Sequence, residues 1–335
     1  MSEQTTDQKL LASQLERALL REEGVPGEIA NLRRLSGGAT KQTWAFEWRC
    51  GSAVQQLILQ LTGATIGAAG RAPKLEARED ASVMKAARAA GAPAPVVRVI
   101  LEPEDGMGAG YVTEFIEGET LGRRVVLDEA LSGARSVLAR QCGEVLGKIH
   151  QVPTTDLSFL KVLTPEDEFA TYRDLLSECN VQHPALSFAI RWIEEHLPEM
   201  ETAGLVHADF RTGNLIVGEQ GLRCVLDWEI ARIGDPMQDL GVLCMRSWRF
   251  GGRGDVGGFG ARDDLYAGYE SVTGRVVDKQ RVHFWEAFAN LKWAIACVRR
   301  GSAQAAGGSQ ASLELSAIGR RMEEPLWDFM NLVKP

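Results

Sequence analysis

His207, Asp209, Asn214 and Asp227 stand within one stretch, GLVHADFRTGNLIVGEQGLRCVLDWEIARIGDP (204–236), that is otherwise apolar or rich in glycine. Leu215 to Val217 and Leu222 to Leu226 flank Gly218-Glu-Gln-Gly221, a spacing that predicts a β-hairpin. Folding that hairpin brings Asn214, at the entry of its first strand, beside Asp227, at the exit of its second, with Asp209 on the adjoining loop. Magnesium takes hard oxygen ligands, usually one or two carboxylates completed by water and substrate phosphates, so Asn214 and Asp227 are the candidate metal ligands. Asp209 then stays off the metal, free to accept a proton from a substrate hydroxyl.

The elements that must position these residues fall into two styles. After an expected helix from Asp7 to Arg21, with Leu11, Leu15, Ala18 and Leu19 on one face, strand-like runs follow at Thr43 to Arg49, Gln56 to Leu61, Val96 to Leu101 and Tyr111 to Ile116. One helix, about Lys74 to Ala90, interrupts them and stops at Gly91-Ala-Pro93. Helical spacing dominates from Gly122 onward: Arg135 to His150, Pro184 to His196, Asp263 to Val272, Val282 to Arg300 and Leu313 to Val333. The glycine-rich segments Phe250 to Gly260 and Gly301 to Gln310 read as mobile loops.

Composition narrows the classes. The chain has 335 residues, 45% hydrophobic and 24% charged, enough for a sizeable core in two lobes or domains. A formal charge of −8 without a basic, aromatic-interleaved stripe argues against a nucleic-acid partner. Six scattered cysteines form no Cys-x-x-Cys pair and suit reduced core thiols. No run of eighteen apolar residues and no basic-then-apolar leader is visible, so a cytoplasmic protein without a membrane partner is expected.

The spacing His-x-Asp, four residues, Asn, then an Asp after a hairpin is that of the protein-kinase catalytic loop. The stretch resembles the aminoglycoside phosphotransferase and choline kinase-like family; Asp227-Trp-Glu229 followed by Gly234-Asp-Pro-Met-Gln-Asp239-Leu looks most similar to the subgroup associated with acyl-CoA dehydrogenases. Supporting segments keep the family order over most of the chain: LSGGATKQTW (35–44), EARED (76–80), GYVTEFIEGETL (110–121) and CGEVLGKIHQVP (142–153). The resemblance implies an α+β, two-lobed protein-kinase-like fold: a nucleotide-binding lobe over 1–116, with an antiparallel sheet and one inserted helix, and a mainly helical catalytic and substrate-binding lobe over 117–335.

It implies an ATP-dependent phosphotransferase acting on the hydroxyl of a small molecule, with Mg2+ and with GTP left open. Gly37, Gly38 and Thr40 would cover the phosphates, and Glu114 and Ile116 would line the nucleotide at the lobe connector. Glu79 would pair with a strand cation near residue 60. This sequence has Gln60 there, an amide without charge, and Arg211, Lys41 or Lys74 could supply the missing cation. Arg211 would brace the transferred phosphate. His207 and Asp239 would support the loop, Asp235 would do local work beside Pro236, and Glu229 would reach a second metal ion or its water.

Gln60 keeps open a nucleotide- or metabolite-binding protein without transfer activity, and a metal-dependent hydrolase is a further rival. A protein-directed kinase is disfavoured, because no long activation loop follows Asp227. Trp248, Tyr266, Tyr269, Trp285, Trp293 and Trp327 are expected mostly in the core, and Lys292, Arg299, Arg300, Arg320 and Arg321 are either solvated or receive an anionic substrate.

Overall fold

The computed structural model describes residues 6–35, 41–62, 74–305 and 317–334. Its first element, α1 (Thr6–Glu23), buries Leu15, Ala18 and Leu19 at helical spacing. Against it lies a five-stranded antiparallel sheet of β1 (Glu28–Arg34), β2 (Lys41–Cys50), β3 (Ala53–Thr62), β4 (Val97–Ile100) and β5 (Gly110–Glu114), in the order β1-β2-β3-β5-β4. Strand alternation sorts side chains onto two faces. Phe46, Trp48, Leu57, Leu59 and Val112 meet α1. The other face carries Lys41, Gln60 and Tyr111, in a register that pairs Lys41 with Thr62, Thr43 with Gln60 and Gln60 with Tyr111.

Beneath that second face runs α2 (Ala77–Ala89), which buries Ala77, Ala81, Met84 and Ala87 and, among them, Asp80. A connector leaves β5, passes Gly118 and hydrogen-bonds through Glu119 in both directions to Val217 (2.8 and 3.0 Å). The second lobe then follows as α3 (Gly122–Leu127), α4 (Ser132–His150), α5 (Pro165–Ser177) and α6 (Pro184–Glu195). Next come β6 (Gly204–Val206), β7 (Leu215–Gly218), β8 (Gly221–Val225) and β9 (Arg232–Gly234). The helices α7 (Met237–Cys244), α8 (Arg262–Thr273), α9 (Lys279–Ala305) and α10 (Glu323–Val333) complete it. Phe284, Trp285, Phe288 and Leu291 of α9 form a second core with α5, α6 and α10. This is the expected two-lobed, kinase-like α+β architecture.

Four differences have physical causes. β1 is an additional strand: Asn31 sits at φ 54° and the register slips between Ala30 and Arg33, so its buried residues, Ile29 and Leu32, are three apart instead of two. α5 is also additional, started by a capping box between Thr164 and Asp167 with Pro165 in its first turn. Phe250 to Gly260 is a packed segment, not a mobile loop. Val256 is fully buried, bridges join Gly254 to Gly258 and Val256 to Gly260, and a Cβ at Gly258 (φ +84°) would lie 2.2 Å from the carbonyl oxygen of Arg249. Gly301 to Ala305 continues α9, and the rest of that expected loop lies outside the described residues.

Lys292 is neither solvated nor open to a substrate. Glu168, 1% exposed, holds it at 2.8 Å and Arg232 at 3.0 Å, tying α5 to β9 and α9. The Lys292 and Arg232 charges pull the Glu168 carboxyl below the usual glutamate value against a burial effect that would raise it. Arg321 pairs with Glu324 at 2.9 Å. Tyr266, Tyr269 and Trp285 are core residues, whereas Trp327 is exposed.

Candidate active site

The hairpin forms as its spacing requires, with Leu215 opposite Val225 and Gly218 opposite Gly221. One step beyond the ladder, the N–H of Leu226 donates to the carbonyl of Asn214 at 2.8 Å, so Asn214 and Asp227 emerge at the same end. Asn214 Nδ2 donates to Asp209 Oδ2 at 2.7 Å and to the Asp209 carbonyl at 2.9 Å. A carboxylate only accepts, so the amide nitrogen must face it. That leaves Asn214 Oδ1 as the side-chain acceptor for a cation.

Asp209 is held on its other oxygen by Arg211 Nε at 2.9 Å. Burial raises the Asp209 carboxyl above the usual aspartate value; Arg211 opposes the rise and nearby Asp227 adds to it. The Arg211 guanidinium also lies 4.7 Å from the centre of the Trp248 ring, which fixes its plane.

Two residues at the site adopt left-handed backbone, Ala208 (φ 67°) and Asp227 (φ 66°). Such conformations cost of order 1–3 kcal/mol each and persist only when neighbours enforce them. Asp239, fully buried, enforces the first by accepting the N–H of Ala208 at 2.7 Å and of His207 at 2.8 Å, while His150 Nε2 lies 3.1 Å from it. His207 works on the loop from inside: Nδ1 accepts the N–H of Asp209 (3.2 Å) and Nε2 donates to the carbonyl of Leu226 (3.0 Å). Trp228 supports the second, buried against the His207 ring and donating to Val225.

Above this floor the sheet contributes a polar chain. Lys41 Nζ is 2.9 Å from Asp80 Oδ2 and 3.5 Å from the Tyr111 hydroxyl. That hydroxyl lies 2.8 Å from Asp80 Oδ2 and 2.6 Å from Gln60 Oε1. The ion pair expected of Glu79 is therefore made by its neighbour Asp80, and the strand cation comes from β2. Glu79 itself accepts the backbone N–H of Glu76 in a capping box that opens α2. Lys41 further reaches Asp227 at 3.5 Å and Glu229 at 3.4 Å.

Glu229 is committed to joining the lobes. It pairs with Lys74 as well as Lys41, and its carbonyl accepts the N–H of Leu75 at 2.7 Å. Glu114 Oε1 accepts the Val96 N–H at 3.3 Å at the start of the connector, with half-buried Ile116 two residues on. Gly37, Gly38 and Thr40 lie outside the described residues. Beside the loop that carries Asp209, Leu121, Gly122, Arg123, Arg124, Leu127, Asp128 and Phe250 line a cleft of about 620 Å³.

Lys41, Asp80, Tyr111 and His150 were not singled out together by sequence reasoning. Their signals were slight: Lys41 shares strand parity with Thr43, and Asp80 ends the same EARED segment as Glu79. Only the packing of α2 under the sheet joins them.

Residues 31–275 match the family model described as the phosphotransferase enzyme family, and the chain belongs to that family. Over 183 residues, 49% of this chain, it is 31% identical to mouse acyl-CoA dehydrogenase family member 10, of which it covers 16%. Over 165 residues, 44% of this chain, it is 27% identical to human family member 11, of which it covers 20%. The chain thus spans a fifth or less of the length of these relatives.

Among solved structures, a Ralstonia eutropha protein provisionally assigned as an aminoglycoside phosphotransferase superposes with a TM-score of 0.76 at 21% identity, over 96% of this chain and 99% of that one. A thermostable mutant of the aminoglycoside phosphotransferase APH(4)-Ia, crystallised with ADP and hygromycin B, gives 0.64 at 16% identity over 96% and 99%. These likenesses concern the fold. Among the described residues no helix is long and apolar enough to cross a membrane.

Proposed function

We propose that this chain transfers the terminal phosphoryl group of ATP to a hydroxyl of a small molecule, with Mg2+ as the accompanying ion. The observation that carries the reading is the placement of Asp209: its carboxylate is fixed by Asn214 Nδ2 and Arg211 Nε beside the hairpin end that presents Asn214 Oδ1 and Asp227. Asp209 orients the acceptor hydroxyl and takes its proton, and Arg211 offsets charge developing on the transferred group. Little covalent chemistry is asked of the protein; positioning and electrostatics do the work.

The donor set fits magnesium. Asn214 and Asp227 are hard oxygen ligands, and among the described residues no group of three or more His, Cys, Asp or Glu could hold an ion unaided. An ion held here would complete its shell with water and phosphate oxygens, which is how Mg2+ screens a triphosphate. Glu114 and Ile116 flank the nucleotide base at the connector, and the cleft by Phe250 receives the acceptor.

ADP release in the presence of Mg-ATP, screened across hydroxyl-bearing metabolites, tests the proposal. Acceptor-stimulated release supports it. Nucleotide binding with no acceptor-stimulated release from any alcohol favours the alternative, a binding protein without transfer.

A further inference from the structure

Residue 60 is a neutral amide whose Oε1 is taken by the Tyr111 hydroxyl, so β3 offers no charge to a nucleotide at this point. On the neighbouring strand, Lys41 is 7% exposed, yet its ammonium sits among Asp80, Asp227 and Glu229 at 2.9, 3.5 and 3.4 Å. A side chain this buried loses most of its rotamer freedom and hydration, a cost that three carboxylates more than offset.

The charge count gives this arrangement a purpose. Asp80, Asp227 and Glu229 set against Lys41 and Lys74 leave one net negative charge. One divalent cation on Asp227 makes the group net positive by one, the sign that a polyphosphate needs. Without Lys41 the same ion would bring it only to neutrality. Lys74 is a weaker candidate for the phosphates, because its ammonium is closed onto Glu229. The Lys41 ammonium reaches Asp227 itself and therefore borders the space where metal and phosphates meet.

We infer that Lys41, on β2, is the phosphate-gripping cation of this chain, that Asp80 positions it, and that Gln60 and Tyr111 orient the pair from the adjoining strands. The inference rests on the phosphotransfer reading above and names which residue carries the charge that Gln60 lacks.

Calorimetric titration of the full chain with Mg·AMP-PNP and, separately, with adenosine tests it. Lys41→Met should weaken Mg·AMP-PNP binding at least tenfold and leave adenosine binding within twofold, since adenosine has no phosphates to grip. The double variant Lys41→Met/Gln60→Lys, which returns an ammonium to the same face from β3, should recover most of the affinity and guards against a folding defect in the single variant. Mg·AMP-PNP affinity unchanged in Lys41→Met overturns the inference while the phosphotransfer reading stands. A parallel loss of adenosine and Mg·AMP-PNP binding in both variants overturns it too, by reducing Lys41 to a structural ion pair. Wild-type chain that binds neither probe removes the phosphotransfer reading and this inference with it.

Discussion

Asp239 Oδ1 accepts the N–H of Ala208 at 2.7 Å, which pins the left-handed residue immediately before Asp209. Replacing this carboxylate removes the acceptor of the His207 and Ala208 amides and the partner of His150 Nε2. Asp239→Ala should cost about 3 kcal/mol or more, read from urea unfolding, and should lower turnover without removing a group that touches substrate.

The same contact has a pH signature. Burial would raise the Asp239 carboxyl, but His150 and the His207 amide prevail and hold it below 3.8, the usual aspartate value. For an acid with a depressed folded value, the stabilisation is complete above the unfolded value and disappears as pH falls through the folded one. The stability gap between wild type and Asp239→Asn should therefore shrink as pH falls below 3.8 in urea melts across that range.

Replacing the proposed proton acceptor should separate binding from chemistry. Asp209→Ala should lower acceptor-dependent ADP release by about a thousandfold, within the range of general-base losses, while Mg·AMP-PNP binding persists. Turnover equal to wild type would cancel the role given to Asp209. Asp227→Ala should differ by weakening Mg-dependent nucleotide binding as well, which titration at several Mg2+ concentrations reveals.

Glu168 is a structural anchor, and its loss should appear in stability alone. Glu168→Ala leaves Arg232 and Lys292 buried without their counter-charge, a change that costs about 3–5 kcal/mol. Thermal melts and urea curves measure it. Nucleotide affinity of the folded fraction should match wild type, because none of the three residues lies among the groups around Asp227.

Gly258→Ala tests the packing of the glycine-rich segment. Its φ of +84° and the 2.2 Å approach of the Arg249 carbonyl leave no room for a methyl group, so a loss of at least about 2 kcal/mol is expected. Limited proteolysis of the wild-type chain should leave 250–260 uncut, whereas a mobile loop would be an early site of cleavage.

What was readable in the sequence was whatever repeats locally. The apolar spacing in α1, the turn Gly218 to Gly221 and the offsets among His207, Asp209, Asn214 and Asp227 are all set within a few tens of residues. β1 was hidden because its bulge breaks the two-residue period, and α7 because seven of its eight residues, Gln238 to Cys244, are buried and it has no polar face to mark it. Strands β6 and β9 have three residues each, too short for any periodicity. The Lys41 and Asp80 pair was obscure for a different reason: it joins residues 39 apart through the packing of a helix beneath a sheet.

The connector between the lobes is fastened to the hairpin, since Glu119 and Val217 exchange both of their backbone hydrogen bonds and Gly118 passes where any side chain would strike Ile216. It is therefore no slack tether. On the proposed function, a base resting on Glu114 and Ile116 would lean, through this short splice, on the strand that Asn214 enters, so the adenine end and the metal end would be fastened to one piece of backbone.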